Sequence, residues 1–350
     1  MSPASSRTRR LVNLGLLLAG LAAMTWTLHG IGFARLAAMV ATVGWWFVVV
    51  LVVELATVSC DAAALRCALR PESRMVRVPR LLATQLAGQA MNTLLPTGAL
   101  GEATKVSLLA GHAPRDRVLG GVLLVNLLGF LTSVGLVVMG LPVVALLLEL
   151  PPALERAAWL AAGLGLALAA ASVALVQRGM AASLADLLRA LRVVSVERRR
   201  RWDPHLQRFD AALRLVGTGH APGLLPAWRW LLLSRLLGWL EYGILLYAIA
   251  GSLPLELWLA SLPLGVVIGW LATLVPMGAG VTEGGHYALF AALGVAPAVG
   301  VAVVVTRRLR QLAVATLGLG ALAVLQAERS SAGPTALRRA LARRRAAATS

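Results

Sequence analysis

Residues 258–294 form an apolar stretch that is interrupted near its middle: WLASLPLGVVIGWLATLV at 258–275, PMGAGVTE at 276–283 and GGHYALFAALG at 284–294. Proline removes a helical donor and glycine favours non-helical backbone, so the helix is expected to break at Pro276, Gly278 and Gly280. Broken backbone in lipid is tolerated only inside protein or beside a wet cavity. The stretch is therefore predicted to be a helix–loop–helix hairpin that re-enters the membrane and returns to its own side.

A second stretch, at 81–110, has the same construction. LLATQLAGQAMNTLL is followed by PTGALGE, which contains Pro96, Gly98 and Gly101, and then by ATKVSLLA. In both stretches a Pro-x-Gly-Ala motif precedes a glutamate, and a Gly-x-Ala-Pro turn precedes a long apolar segment. Two such units in opposite orientation form the inverted repeat of many transporters, where interrupted helices build a midplane site. The alternative is that these short motifs recur by chance in a sequence rich in alanine and glycine.

The rest of the chain contains uninterrupted apolar segments. Apolar residues make up 59% and charged residues 14% of the 350 residues, against about 45–50% and about 25% in soluble domains. A helix needs about 20 apolar residues to cross a bilayer. The expected fold is an all-α polytopic membrane protein with about six transmembrane helices plus two re-entrant helical hairpins in an inverted repeat. The predicted transmembrane helices are 11–28, 36–60, 118–140, 157–176, 230–250 and 298–326.

Basic residues are expected on one face of the membrane. The net charge is +18, and arginines cluster beside the ends of apolar segments. The positive-inside rule then predicts a multi-pass membrane protein with both termini in the cytoplasm. Because the charges follow the segment ends, nucleic acid is not expected as a partner.

The predicted domains follow from the same pattern. Residues 1–326 form the transmembrane domain, which includes a basic cytoplasmic insertion at 177–229, and residues 327–350 form a basic cytoplasmic tail. Residues 181–194 and the tail suit amphipathic helices that contact anionic headgroups. The alternative is that their charges only determine topology.

The last predicted span contains three arginines, in the sequence TRRLRQ at 306–311. At roughly 2.5–3.5 kcal/mol each in hydrocarbon, they cost about 7–10 kcal/mol, so this helix is not expected to face lipid all round. Helical spacing puts Arg307 and Arg310 on one face and turns Arg308 away. Guanidinium groups match phosphate geometry, so one predicted ligand is an anionic lipid headgroup. The alternative partners are carboxylates: Glu54, Glu241 and Glu283.

In each hairpin, one glutamate lies at the start of the second helix. Glu102 and Glu283 are placed to cap backbone N–H groups, and the alternative is a proton-linked or headgroup-binding role at the repeat interface. Lys105 is expected to bind phosphate or to pair with Glu102. The candidate headgroup or transport site is therefore Arg307, Arg308, Arg310, Glu283, Glu102 and Lys105.

No catalytic residue, cofactor or metal site is predicted. The sequence shows no paired His/Cys ligands, nucleophile elbow, phosphate-cradling glycine loop or acidic dyad. It shows no ATP-binding motif either, so transport is expected to be passive, gradient-driven or coupled to a partner.

The hairpin motifs resemble the lysylphosphatidylglycerol synthase transmembrane-region family, also called the flippase-like domain family. The likeness is carried by NTLLPTGALGEATKVSLLAG at 92–111, by VPMGAGVTEGGHYALFAALGV at 275–295 and by the arginine-bearing helix that follows. The EGG…LGVAP…TRRLRQ pattern is also similar to hopanoid-biosynthesis-associated members. The resemblance implies a bacterial inner-membrane protein linked to lipid transfer between leaflets, here without the C-terminal synthase domain.

The expected function is therefore that of a lipid translocase or lipid-handling transporter. The expected partners are membrane lipids, either an anionic phospholipid or an isoprenoid-type lipid. The alternatives are an intramembrane lipid-modifying transferase and an accessory or scaffold subunit of a complex of lipid-synthesis enzymes.

Overall fold

The computed structural model describes residues 33–94, 100–110, 112–147, 152–178, 223–275 and 278–348, and within them every regular element is a helix. The α-helices are α1 Phe33–Ala41, α2 Trp46–Ala68, α3 Val78–Leu94, α4 Leu100–Leu109, α5 Arg115–Leu147, α6 Pro152–Arg178, α7 Leu224–Ala250, α8 Leu255–Ala272, α9 Val281–Ala292 and α10 Pro297–Ala348. Five of them are long and apolar enough to cross a membrane. The predicted all-α polytopic fold class is confirmed.

Most predicted spans correspond to a helix. Four of the five membrane-crossing candidates, α2, α5, α7 and α10, overlap a predicted span. The span predicted at 157–176 lies in α6, whose apolar part, Ala158–Ala174, is shorter than a full crossing. Helix α10 continues without a break into the predicted tail.

Several predictions lie outside the described residues. They concern the span at 11–28, the loop residues Pro96, Gly98 and Pro276, and most of the insertion at 177–229.

The prediction of one continuous span over 36–60 is wrong. Helix α1 ends at Ala41 and α2 begins at Trp46. Between them Gly44 adopts a φ of 46°, in the left-handed region where a right-handed helix cannot continue. The surrounding residues are apolar, so hydropathy does not reveal this turn.

The fifth membrane-crossing candidate is α8, which was predicted only as the first arm of a hairpin. It has 18 residues, whereas α9 has 12. The other hairpin repeats this asymmetry, with 17 residues in α3 and 10 in α4. At 1.5 Å per residue the second arms are only about 15–18 Å long, roughly half the hydrocarbon thickness. Arms of these lengths suit segments that enter and return.

The two ends of hairpin 1, which is formed by α3 and α4, lie in the same apolar cluster. Leu81 at the start of α3 and Leu109 at the end of α4 share an apolar cluster with Leu65 of α2 and Val118 of α5. Hairpin 1 therefore returns to the side from which it enters, and α5 starts from that side.

Hairpin 2, formed by α8 and α9, is closed in the same way at the opposite end of α2. Leu257 at the start of α8 and Phe290 near the end of α9 share a cluster with Leu246 of α7 and Val299 of α10. Val50, near the start of α2, belongs to this second cluster. The two hairpins therefore enter from opposite ends of α2.

The contacts between the two halves are reciprocal. Helix α10, which follows hairpin 2, packs on α3 of hairpin 1, and α5, which follows hairpin 1, packs on α8 of hairpin 2. Helices α2 and α7 run antiparallel, since Val50 neighbours Leu245 while Ala64 neighbours Ala227. A two-fold axis that relates two antiparallel helices must be perpendicular to both of them. For membrane-crossing helices that axis lies in the membrane plane, as in an inverted repeat.

Candidate functional site

Arg310 of α10 lies between two carboxylates. Its Nη1 donates a hydrogen bond of 2.7 Å to Oε2 of Glu54 from α2, and it also bonds Oε2 of Glu241 from α7. The arginine is 4% exposed and Glu241 is fully buried. Because one cation holds acids from both halves, Arg310 joins the two repeats at their centre.

A side chain of hairpin 1 extends this group. Gln89 Nε2 in α3 donates a 2.6 Å hydrogen bond to Oε1 of Glu54. Glu54 therefore contacts Arg310 with one oxygen and hairpin 1 with the other. Gln89 was not singled out in the sequence, although an amide inside an apolar helix arm was the available signal.

Arg307 lies on the same face of α10 as Arg310, as helical spacing predicted. Its Nε is 3.8 Å from Oε1 of Glu241. Its Cζ lies 5.8 Å from the centre of the Tyr242 ring, in cation–π geometry. The Arg307 side chain remains 35% exposed, in contrast to Arg310.

Arg308 faces hairpin 2. Its Nε is 2.7 Å from Oε1 of Glu283, and its Nη2 donates to the carbonyl oxygen of Gly278 at 3.5 Å. The other oxygen of Glu283 accepts the backbone N–H of Gly280 at 2.9 Å, which is the predicted cap. Gly278 and Gly280 have φ values of 61° and 77°, so both loop glycines are needed for their backbone conformation. The tip of hairpin 2 is thereby tied to α10.

At the tip of hairpin 1, a glutamate and a lysine of the same helix form an ion pair. Lys105 Nζ lies 3.0 Å from Oε1 of Glu102, one turn earlier in α4. Asn92 of α3 accepts the backbone N–H of Gly101 at 2.8 Å. A Cβ on Gly101 would collide with the carbonyl of Gly88, so the two arms are in backbone contact there. Gly88 was not recognised in the sequence, and Asn92 entered only as the first residue of the family motif, without a role.

The central charges balance. Arg307, Arg308 and Arg310 face Glu54, Glu241 and Glu283, three cations against three anions. The predicted cost of burying three arginines is thus offset by ion pairing, which was the alternative to headgroup contact. Below, the charge cluster means these six residues. The structure brings the three arginines and Glu283 together, while Glu102 and Lys105 form an ion pair of their own. Lys105 also interacts electrostatically with Asp61 of α2, which in turn interacts with Glu54. Asp61 was not singled out in the sequence.

Metal-ligand groups were sought among the described residues. These residues include no group of three or more His, Cys, Asp or Glu side chains placed to hold a metal ion.

Comparison with known proteins identifies one family. No curated protein and no solved structure matches this chain. Residues 12–318 match the family model described as the lysylphosphatidylglycerol synthase TM region, in agreement with the resemblance seen in the two hairpin motifs. The match gives no support to the narrower likeness to hopanoid-associated members, which stays a prediction. The chain belongs to the lysylphosphatidylglycerol synthase TM region family, and it is a multi-pass membrane protein related to lipid handling.

Proposed function

We propose that this protein moves a lipid with a phosphate-bearing headgroup between the leaflets of a bacterial inner membrane, with both termini in the cytoplasm. The lipid is an anionic phospholipid or an isoprenoid-type lipid. The headgroup passes the charge cluster between the two hairpins, and Arg307 and Arg308 contact it. Glu102 and Lys105 line the part of its path beside hairpin 1.

The observation that carries the proposal is the unequal exposure of the three arginines. Arg310 is buried between two acids, whereas the side chains of Arg307 and Arg308 are 35% and 30% exposed. A guanidinium group has five N–H donors, and the contacts of Arg308 with Glu283 and Gly278 use few of them. Arg308 therefore retains donors for a phosphate while it holds the hairpin, and Arg310 serves as the fixed ion pair.

Two cavities supply surfaces for the rest of a lipid. One, of about 510 Å³, is an apolar groove between α5, α7 and α8, which Leu136, Leu232 and Leu262 help to line. The other, of about 540 Å³, lies between α4 and α5 and contains Glu102, Ser107 and Arg115 beside leucines and valines. Hydrocarbon chains suit the first cavity, and a headgroup with its first methylenes suits the second.

The test is translocation of headgroup-labelled lipids in liposomes that contain the purified protein. Arg308→Ala is expected to slow translocation of an anionic lipid by about tenfold or more, and Arg308→Lys by less, since it keeps the charge but loses the fork geometry. Arg80→Ala is the matched control, because Arg80 pairs with Glu328 at the base of hairpin 1, away from the charge cluster. Equal rates for the wild-type protein and Arg308→Ala would refute the site, and rates equal to protein-free liposomes would refute the function.

A further inference from the structure

Six buried polar atoms on α7, α9 and α10 have no hydrogen-bond partner among the described residues. Two of them, Oε1 of Glu283 and Nε of Arg310, belong to side chains held in close ion pairs. The other four are Oε1 of Glu241, Oη of Tyr242, Nε2 of His286 and Nε of Arg307. Glu241, Tyr242 and His286 are 0%, 4% and 3% exposed. The ion pairs of the charge cluster give none of these four atoms a hydrogen bond, because even Arg307 Nε and Glu241 Oε1, which form an ion pair, are 3.8 Å apart.

These four side chains are neighbours. The Tyr242 and His286 ring centres are 5.9 Å apart, and the Arg307 guanidinium carbon lies 5.8 Å from the Tyr242 ring. Arg307 Nε is 3.8 Å from Glu241 Oε1, beyond hydrogen-bond distance. The contacts therefore run in sequence from His286 through Tyr242 and Arg307 to Glu241, and we treat the four side chains as one polar site.

The chemistry of the four atoms indicates what fills this site. A buried polar atom without a partner costs about 1–3 kcal/mol, and native proteins satisfy such atoms with protein groups or ordered water. His286 Nδ1 lies 2.8 Å from the carbonyl oxygen of Thr282, which assigns the proton to Nδ1 and leaves Nε2 as an acceptor. The site thus offers two acceptors on Glu241 and His286 and one donor on Arg307. The Tyr242 hydroxyl can donate or accept a hydrogen bond. Water, with two donors and two acceptors, matches this set.

A lipid phosphate does not match it. The phosphate oxygens, which only accept hydrogen bonds, would meet the acceptors on Glu241 and His286. The site is distinct in this respect from the more exposed face of Arg308.

We propose that this site holds water and carries protons between His286 and Glu241. A protonated His286 gives its Nε2 proton to a bound water, which passes a proton to Oε1 of Glu241. Carboxylate and imidazolium thereby become carboxylic acid and neutral imidazole, with charge conserved.

Proton transfer at this site is linked to the charge cluster. Neutral Glu241 holds Arg307 and Arg310 less strongly, so proton movement loosens the centre where the repeats meet. This inference rests on the proposed function and names the proton as its coupling ion.

Charged and titratable groups from α2, α7, α9 and α10 surround His286 and Glu241. Arg307 of α10 and Tyr242 of α7 face His286, and Glu283 lies one turn away on its own helix. The groups that face Glu241 are Arg307 and Arg310 of α10 and Glu54 of α2. Arg307 is common to both sets and is placed to repel a second proton.

The test is proton influx into proteoliposomes that contain a trapped pH-sensitive dye, driven by a potassium diffusion potential. Wild-type protein is expected to take up protons faster than protein-free liposomes, and His286→Gln and Glu241→Gln to lower this influx about tenfold or more. His112→Gln, at the hairpin 1 base, is the histidine control and keeps the influx. Tyr242→Phe is isosteric and is expected to give an intermediate rate, so the test does not depend on folding of the two stronger variants.

Lipid translocation in the same liposomes separates the two proposals. Wild-type influx equal to that of protein-free liposomes, or unchanged influx in both Tyr242→Phe and His286→Gln, overturns the proton relay. If labelled lipid still crosses the membrane in an Arg308-dependent manner, the proposed function stands and only the relay fails. Loss of lipid movement in the wild-type protein overturns the proposed function instead.

Discussion

The two hairpins have the same shape but balance their charges differently. At the tip of hairpin 1, Glu102 pairs with Lys105 of the same helix, and the arms touch through Gly88 and Gly101. At the tip of hairpin 2, Glu283 pairs with Arg308 from α10. The charges at the tip of hairpin 1 are therefore paired within one helix, and Gln89 links this hairpin to Glu54 through a neutral hydrogen bond, whereas the charge at the tip of hairpin 2 is paired with α10. Loss of the Arg308 charge is expected to affect hairpin 2 first.

The largest expected effect comes from removing the cation that both repeats share. Arg310→Leu leaves Glu54 and Glu241 buried without their counter-charge, and we expect it to lower the free energy of unfolding by about 3–5 kcal/mol. Thermal unfolding in detergent measures this loss. Adding Glu54→Gln and Glu241→Gln should restore part of it, and a triple variant as unstable as Arg310→Leu would contradict the ion-pair explanation.

A smaller loss of stability is expected when the glutamate at the tip of each hairpin is neutralised. Glu283→Gln keeps an acceptor for the Gly280 N–H but removes the charge opposite Arg308, which should cost about 1.5–3 kcal/mol. Glu102→Gln, whose side chain is 27% exposed, should cost less than about 1 kcal/mol. Unfolding in denaturant compares the two, and equal losses would show that hairpin 2 does not depend on Arg308.

Close packing in hairpin 1 is tested by adding one methyl group. Gly101→Ala places a Cβ against the Gly88 carbonyl, and we expect a loss of about 1–3 kcal/mol. Gly284→Ala in hairpin 2, where a Cβ meets nothing within 4 Å, should leave stability unchanged or raise it by about 0.4–1 kcal/mol. Limited proteolysis and thermal unfolding report on both. A tolerated Gly101→Ala would mean that the arms of hairpin 1 are not in backbone contact.

The smallest effect is expected at the base of hairpin 1. Arg80 contacts both His112 and Glu328, which ties this base to α10. Glu328 is 52% exposed, so Arg80→Ala should lower stability by at most about 1 kcal/mol, and less in high salt. Unfolding at two salt concentrations checks this. A large loss of stability that does not depend on salt would show that hairpin 1 is held mainly at its base and not at its tip.

Sequence patterns predicted the segments well but not every boundary. The Pro/Gly interruptions indicated both hairpins, because proline and glycine act on the local backbone whatever surrounds them. The turn at Gly44 was missed since its neighbours are apolar and hydropathy averages over them. The contact of Gln89 with Glu54 was not predicted, and Asn92 was noted only as part of the family motif, because the role of a polar side chain in a helix depends on which residues pack against it.

The sequence by itself determined the membrane class, the two interrupted segments and the need for some polar or anionic partner near the three arginines. These follow from composition, local backbone chemistry and the cost of charge in hydrocarbon, none of which requires knowing where a distant helix lies. Only the tertiary structure decided that Arg310 takes Glu54 and Glu241 while Arg308 takes Glu283. Those partners lie far apart in the chain, and ion pairing acts over a few ångströms, so the choice among them depends on how the helices pack.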